Sequence, residues 1–156
     1  MHTKFRDYAE SLHPKFETLM SMHPIRIDNL PKQLPSQCIY LFSESVDHLY
    51  VGRTLKQTLN KRLQQHSASW AQHNQAVFAF KLACETVNAK PGYTRETSRK
   101  SICATPFFPQ AFADAKNRIR QMEVRYVIEG DALRQALLEI YVAVVLDTRY
   151  NDFETH

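Results

Sequence analysis

The chain lacks any apolar run of membrane-spanning length, which excludes a transmembrane helix of the usual kind. Its first residues, MHTKFRDYAESLHPKF, carry acids and no apolar core, so no secretion signal is expected. Cysteine is scarce. Cys38, Cys84 and Cys103 are odd in number and widely spaced, and make neither a disulfide framework nor a zinc pattern. Free thiols point to an intracellular, cytoplasmic protein with no membrane partner. The histidines His2, His13, His23, His48, His73 and His156 form no metal-spaced set and are expected to be structural or surface residues. Internal repeats, low-complexity runs and domain linkers are also missing.

What is present suits one globular domain. Of 156 residues, 44% are hydrophobic and 23% charged, enough apolar content for one core. The net charge of +4 and pI near 9.0 are compatible with a nucleic-acid partner without requiring one.

Residues 1–35 read as a short amphipathic helix around Phe16 to Met22, followed by a lead-in punctuated by Pro24, Pro31 and Pro35. This segment is expected to pack on the edge of a domain spanning 36–156. CIYLFS (38–43) and HLYVG (48–52) are strands by their aromatic and β-branched content, joined as a hairpin. If Tyr40 lay opposite Tyr50, the loop would be Ser43–Asp47 and both rings would share a face; a one-residue slip would separate them. Leu55, Leu59 and Leu63 predict a helix from about Lys56, with Arg62 and His66 stacked on an adjoining stripe. Asn74 is placed to cap a second helix over 76–87. Residues 88–108 break the pattern and are basic at Arg95, Arg99 and Lys100. A helix over Gln110–Arg120 follows. The alternation in MEVRYVI predicts a strand with Met122, Val124, Tyr126 and Ile128 on its buried face. Asp131 is a good N-cap for the last helix, DALRQALLEIYVAVVLDT. Together these elements predict an α+β fold with a small, three-stranded, largely antiparallel sheet flanked by helices.

That last helix is apolar almost all round, so a carboxylate within it is costly unless compensated. Ala132, Ala136 and Ala143 lie within about 60° of Glu139 around a helix of 3.6 residues per turn. They leave room beside the charge for an ion and its water. The alternative is a surface charge, or an ion pair of Glu139 with Arg134 or Arg125. Taken singly, Tyr40 and Tyr50 read as strand aromatics, Arg62 and His66 as a solvated helix face, and Asn151 as a turn former or cap.

Their order along the chain gives them a joint meaning. CIY (38–40) and YVG (50–52), an Arg-His helix at Arg62 and His66, and a late Glu139 together resemble the GIY-YIG endonucleases over roughly residues 36–152. Cys38 stands where that family usually has Gly. The resemblance implies a nuclease acting on DNA, with RNA as the alternative strand, and a divalent cation, Mg²⁺ or Mn²⁺, held by Glu139. It implies Tyr40 as base, His66 as proton relay or orienter, and Tyr50 as the residue positioning water or phosphate. Arg62 and Arg53 would be the phosphate contacts. Asn151 in RYNDF fits an Asn found near the end of the domain in some members. Arg95, Arg99 and Lys100, from the basic excursion, are the further candidates for nucleic-acid contact. A binding module on the same fold that has lost turnover, and a protein-interaction domain, are the rival functions.

Overall fold

The computed structural model describes residues 1–153, so His156 lies outside the described residues. The chain forms two compact units: Met1–Arg62 with Met122–Asn151, and Leu63–Gln121 with the described tail from Asp152.

The first unit is built on an antiparallel sheet of four strands: β1 (Ile25–Arg26), β2 (Cys38–Glu44), β3 (Asp47–Thr54) and β4 (Glu123–Ile128), in the order β1-β4-β2-β3. Three strands were expected. The fourth is the two-residue β1, too short to carry any periodic signal. The first helix is also longer than expected. Instead of a turn or two around Phe16 to Met22, α1 runs Thr3–Ser21 with Pro14 inside it. Leu12, Phe16, Leu19 and Met20 recur at helical spacing and pack into the core formed with the sheet. Burial of one such side chain is worth roughly 1.5–3 kcal/mol, which offsets the backbone hydrogen bond that Pro14 removes.

The two sheet faces have different tasks. Ile39, Leu41, Val51 and Val127 form an apolar layer with α1 and with Leu138, Val142 and Ala143 of α6 (Ala132–Leu146). Tyr40, Phe42, Tyr50 and Gly52 line the opposite face. Strand β4 therefore does not have the single buried face expected of it: Val127 is in the α1–α6 core, Val124 is buried on the other side, and Ile128 is 59% exposed.

Register decides where the tyrosines go. Tyr40 pairs with Gly52 and Phe42 with Tyr50, not Tyr40 with Tyr50. The offset is two residues, so both rings still project from one face. The hairpin loop is only Ser45–Val46, between the paired Glu44 and Asp47, with Ser45 at φ 54°. A bulge after Phe42 leaves Leu49 as the extra residue on β3. The freed Leu49 carbonyl accepts the Tyr150 amide at 3.2 Å.

The second unit contains α3 (Val77–Thr86), the short α4 (Arg99–Cys103) and α5 (Phe108–Gln121), around buried Phe78, Phe80, Phe108 and Ile119. Asn74 does not cap α3. The N-cap is Ala76, with no side-chain bond to the helix. α2 (Leu59–Ser67) starts later than Lys56, because the Thr54 hydroxyl bonds the Gln57 carbonyl and holds a tight bend there, and Thr58 Oγ1 accepts the Lys61 amide.

Candidate active site

Five of the sequence-predicted residues are brought together within the first unit. Arg62, in the first turn of α2, donates from Nε to the Tyr40 hydroxyl at 3.0 Å and also hydrogen-bonds Tyr50. Arg53, at the end of β3, pairs with Glu139 on α6, Nε to Oε2 at 3.1 Å. Glu139 also feels the charge of Arg62, and Tyr40 feels Tyr50 and Glu139. The expected ion-pair alternatives for Glu139, Arg134 or Arg125, do not apply: its partner is Arg53. Of the alanines meant to frame it, Ala143 is buried, Ala136 half-buried and Ala132 exposed.

Burial distinguishes the two tyrosines. Tyr40 is fully buried, and desolvation pushes its hydroxyl well above the ordinary tyrosine range; Tyr50 raises it further and Arg62 only partly offsets this. Its ring crosses to the neighbouring strand and lies against Gly52. A Cβ on Gly52 would collide with the Tyr40 hydroxyl and ring. The glycine of YVG is thus needed for space rather than for an unusual φ. Tyr50, by contrast, is half-buried. Burial lowers the affinity of Arg62 for its proton, but Tyr40 and then Tyr50 outweigh this and hold its pKa above the ordinary guanidinium value.

Cys38 opens β2 as expected, and burial pushes its thiol up to about 12. It is a buried strand residue with no accessible thiolate.

Beside this cluster is a cleft of about 570 Å³ lined by Arg53, Lys56, Lys61 and Arg62 together with Thr54, Leu55 and Gln57. Four cations and no carboxylate line it, so the cleft is electropositive. Lys56 and Lys61 were not singled out from the sequence; their positions flanking the start of α2 were the available signal. Gln135 was missed as well. It is fully buried on α6, one turn before Glu139, and its Nε2 donates to the Thr54 carbonyl at 3.1 Å and the Glu129 carbonyl at 2.5 Å. It ties the helix carrying Glu139 to the strand end carrying Arg53.

The remaining candidates have other surroundings. Asn151 clamps edge strand β3: its Oδ1 accepts the Val51 amide at 2.8 Å and its Nδ2 donates to the Val51 carbonyl at 2.7 Å. Its side-chain amide is thus taken up by the strand that carries Tyr50 and Arg53. His66 is buried on α2 and falls within the second unit. Arg95 and Lys100 are exposed in that unit, while Arg99 is half-buried with its guanidinium 5.2 Å from the Phe80 ring centroid. Among the other histidines, His13 Nδ1 lies 2.9 Å from the Tyr141 hydroxyl and His48 Nδ1 lies 2.8 Å from the Ser43 hydroxyl.

Among the described residues, no group of three or more His, Cys, Asp or Glu could hold a metal. One carboxylate, Glu139, with its side chain 21% exposed, faces the cluster. This donor set fits a hard cation that takes most of its shell from water and phosphate, and no cation that needs a protein-built cage. No protein-family model matches the chain, and no curated protein or solved structure matches it. No described helix is long and apolar enough to cross a membrane.

Proposed function

We propose that the chain is a metal-dependent endonuclease of the GIY-YIG kind, hydrolysing phosphodiester bonds in DNA, with RNA as the alternative strand. The supporting observation is the convergence of Tyr40, Tyr50, Arg53, Arg62 and Glu139, drawn from β2, β3, α2 and α6, beside a cleft lined by four cations. Separately, each of these residues has an ordinary structural explanation.

In this reading the strand's phosphate is held by Arg53, Lys56, Lys61 and Arg62. Arg62 matches its planar fork to two phosphoryl oxygens. A water attacks phosphorus, a new P–O bond forms, and the ester bond to the leaving oxygen breaks. The base must reach that water. Tyr40 is buried and its hydroxyl accepts from Arg62, so it orients the guanidinium. Tyr50 is half-buried and also bonded to Arg62; as its phenolate it takes the water's proton and becomes the neutral phenol. Arg62 is the cation that this phenolate needs beside it before the transfer. Glu139 would hold Mg²⁺ or Mn²⁺, which when bound supplies positive charge to the phosphoryl and leaving oxygens. No step is assigned to His66.

One observation favours a second reading, a nucleic-acid-binding module without turnover: Arg53 already sits on the carboxylate that would hold the cation. Incubation of the protein with single-stranded, duplex and branched DNA, with and without Mg²⁺ or Mn²⁺, separates the two. Metal-dependent cleavage supports the nuclease. Salt-sensitive binding with no cleavage under any of these conditions supports the module.

A further inference from the structure

The second unit has a cleft of its own, about 550 Å³ in volume and of a size that suits a small ligand. Its walls are aromatic and cationic. Trp70, His73, Phe108 and Phe112 line it, with Phe108 and Phe112 stacked at 5.7 Å between centroids. Lys116 and Arg120 line it too, and no carboxylate does.

Lys116 is the unusual member, since it is only 5% exposed. Its Nζ lies 4.1 Å from the Phe112 ring centroid and donates to the Ser69 carbonyl at 3.2 Å and to the Ala71 carbonyl. Arg120 donates to the Ser67 carbonyl at 2.8 Å and to Asn117 at 3.3 Å. These acceptors fix both cations in place, but carbonyls and amides are neutral and leave the charge uncompensated. Burial first, and Arg120 second, pull the Lys116 ammonium below the ordinary lysine range. Two fixed cations that repel one another next to stacked rings make a site complementary to a ligand both anionic and flat.

The geometry points to this cleft as a subsite for one unpaired nucleotide of a single-stranded nucleic acid, with its base on the exposed Trp70 ring and against the edge of Phe112, and its phosphate at Arg120 and Lys116. Every base has a π-face and every nucleotide a phosphate, so such a site holds a strand without reading its sequence. The inference rests on the reading of the chain as acting on nucleic acid and names what the second unit adds.

Trp70 is the chain's one tryptophan and is 59% exposed, so its emission reports on this cleft. The full chain, kept metal-free with a chelator to prevent cleavage, is titrated with a short thymidine homo-oligomer, an abasic strand of equal length and thymidine monophosphate. The oligomer is expected to change Trp70 emission and to bind about tenfold more tightly than the abasic strand. Arg120→Gln should weaken oligomer binding about tenfold with little change in melting temperature, and Phe112→Ala should weaken it as much while lowering the melting temperature, because Phe112 packs on buried Phe108. Emission that ignores the oligomer, equal affinity for the abasic strand, or unaffected binding in Arg120→Gln overturns the proposal. A mononucleotide that binds as tightly as the oligomer overturns the strand as occupant. The same preparation is assayed for cleavage with Mg²⁺. Cleavage with a silent Trp70 overturns the subsite alone, and a Trp70 response without cleavage overturns the nuclease reading alone.

Discussion

Replacing Glu139 with Gln separates chemistry from folding, because the two respond in opposite directions. Desolvation raises the carboxyl pKa above the ordinary value, and Arg53 and Arg62 offset this only in part. A group whose folded pKa is raised contributes stability that is fully present below its unfolded pKa and lost as pH rises through the folded value. At pH 7 the ionised Glu139 is therefore a net cost to the fold. The amide keeps the shape and removes that cost. Arg53, left without its partner, is 44% exposed and can hydrate, so loss of this half-exposed pair should cost no more than about 1 kcal/mol. The melting temperature of Glu139→Gln should thus equal or slightly exceed the parent's at pH 7. The difference should disappear below about pH 4, near the ordinary Glu pKa, where the parent's carboxyl is also neutral. The rate should respond the other way. Loss of the carboxylate that would hold the cation removes metal stabilisation of the transition state, at least about a hundredfold or roughly 2.7 kcal/mol. DNA affinity should hold or rise, since a negative charge near phosphate is gone. Cleavage rate with Mg²⁺, DNA affinity in chelator, and melting curves at pH 4 and 7 form one experiment. Undiminished cleavage would refute the assignment of the cation to Glu139. A large drop in melting temperature at pH 7 would refute the account of Glu139 as a net cost.

Tyr50→Phe should lower the cleavage rate about a hundredfold or more while leaving melting nearly unchanged. Tyr40→Phe should instead destabilise by about 1–3 kcal/mol, because Arg62 loses a buried acceptor, and should weaken strand binding; a rate loss in Tyr40→Phe matching that of Tyr50→Phe, with unchanged stability, would reverse the roles. Gly52→Ala forces a methyl into the Tyr40 ring and should cost about 1–3 kcal/mol. At 2–4 °C per kcal/mol this is a fall of roughly 2–12 °C in melting temperature, readable by circular dichroism. Arg95→Ala with Lys100→Ala removes two exposed charges and should lower the salt slope of DNA binding by up to about 2. An unchanged slope would assign the segment another role, and Arg99 is left in place because it packs on Phe80.

Local pattern was enough for the elements that carry the site. Aromatic and β-branched content predicted β2 and β3, four-residue leucine spacing predicted α2, and Asp131 caps α6 through the Arg134 amide at 2.8 Å. Each signal needs only neighbours along the chain. Candidate residues not yet placed could therefore be named from their order and the resemblance it carries: the tyrosine motifs, Arg53, Arg62 and Glu139. Tertiary structure decided the rest, because the remaining questions were about contacts between distant segments. Whether the tyrosines share a face depended on a bulge at Leu49 that no local pattern announces. Which arginine meets Glu139 depended on Gln135 holding α6 to the end of β3, across 81 residues of chain. The length of α1 was set by what its apolar stripe packs against, and the role of Asn151 by an edge strand 100 residues before it. Tyr40 carries the same side chain in the sequence as Tyr50. Only burial, which exists once the sheet and its helices close around it, distinguishes them: Tyr40 is fully buried and Tyr50 half-buried.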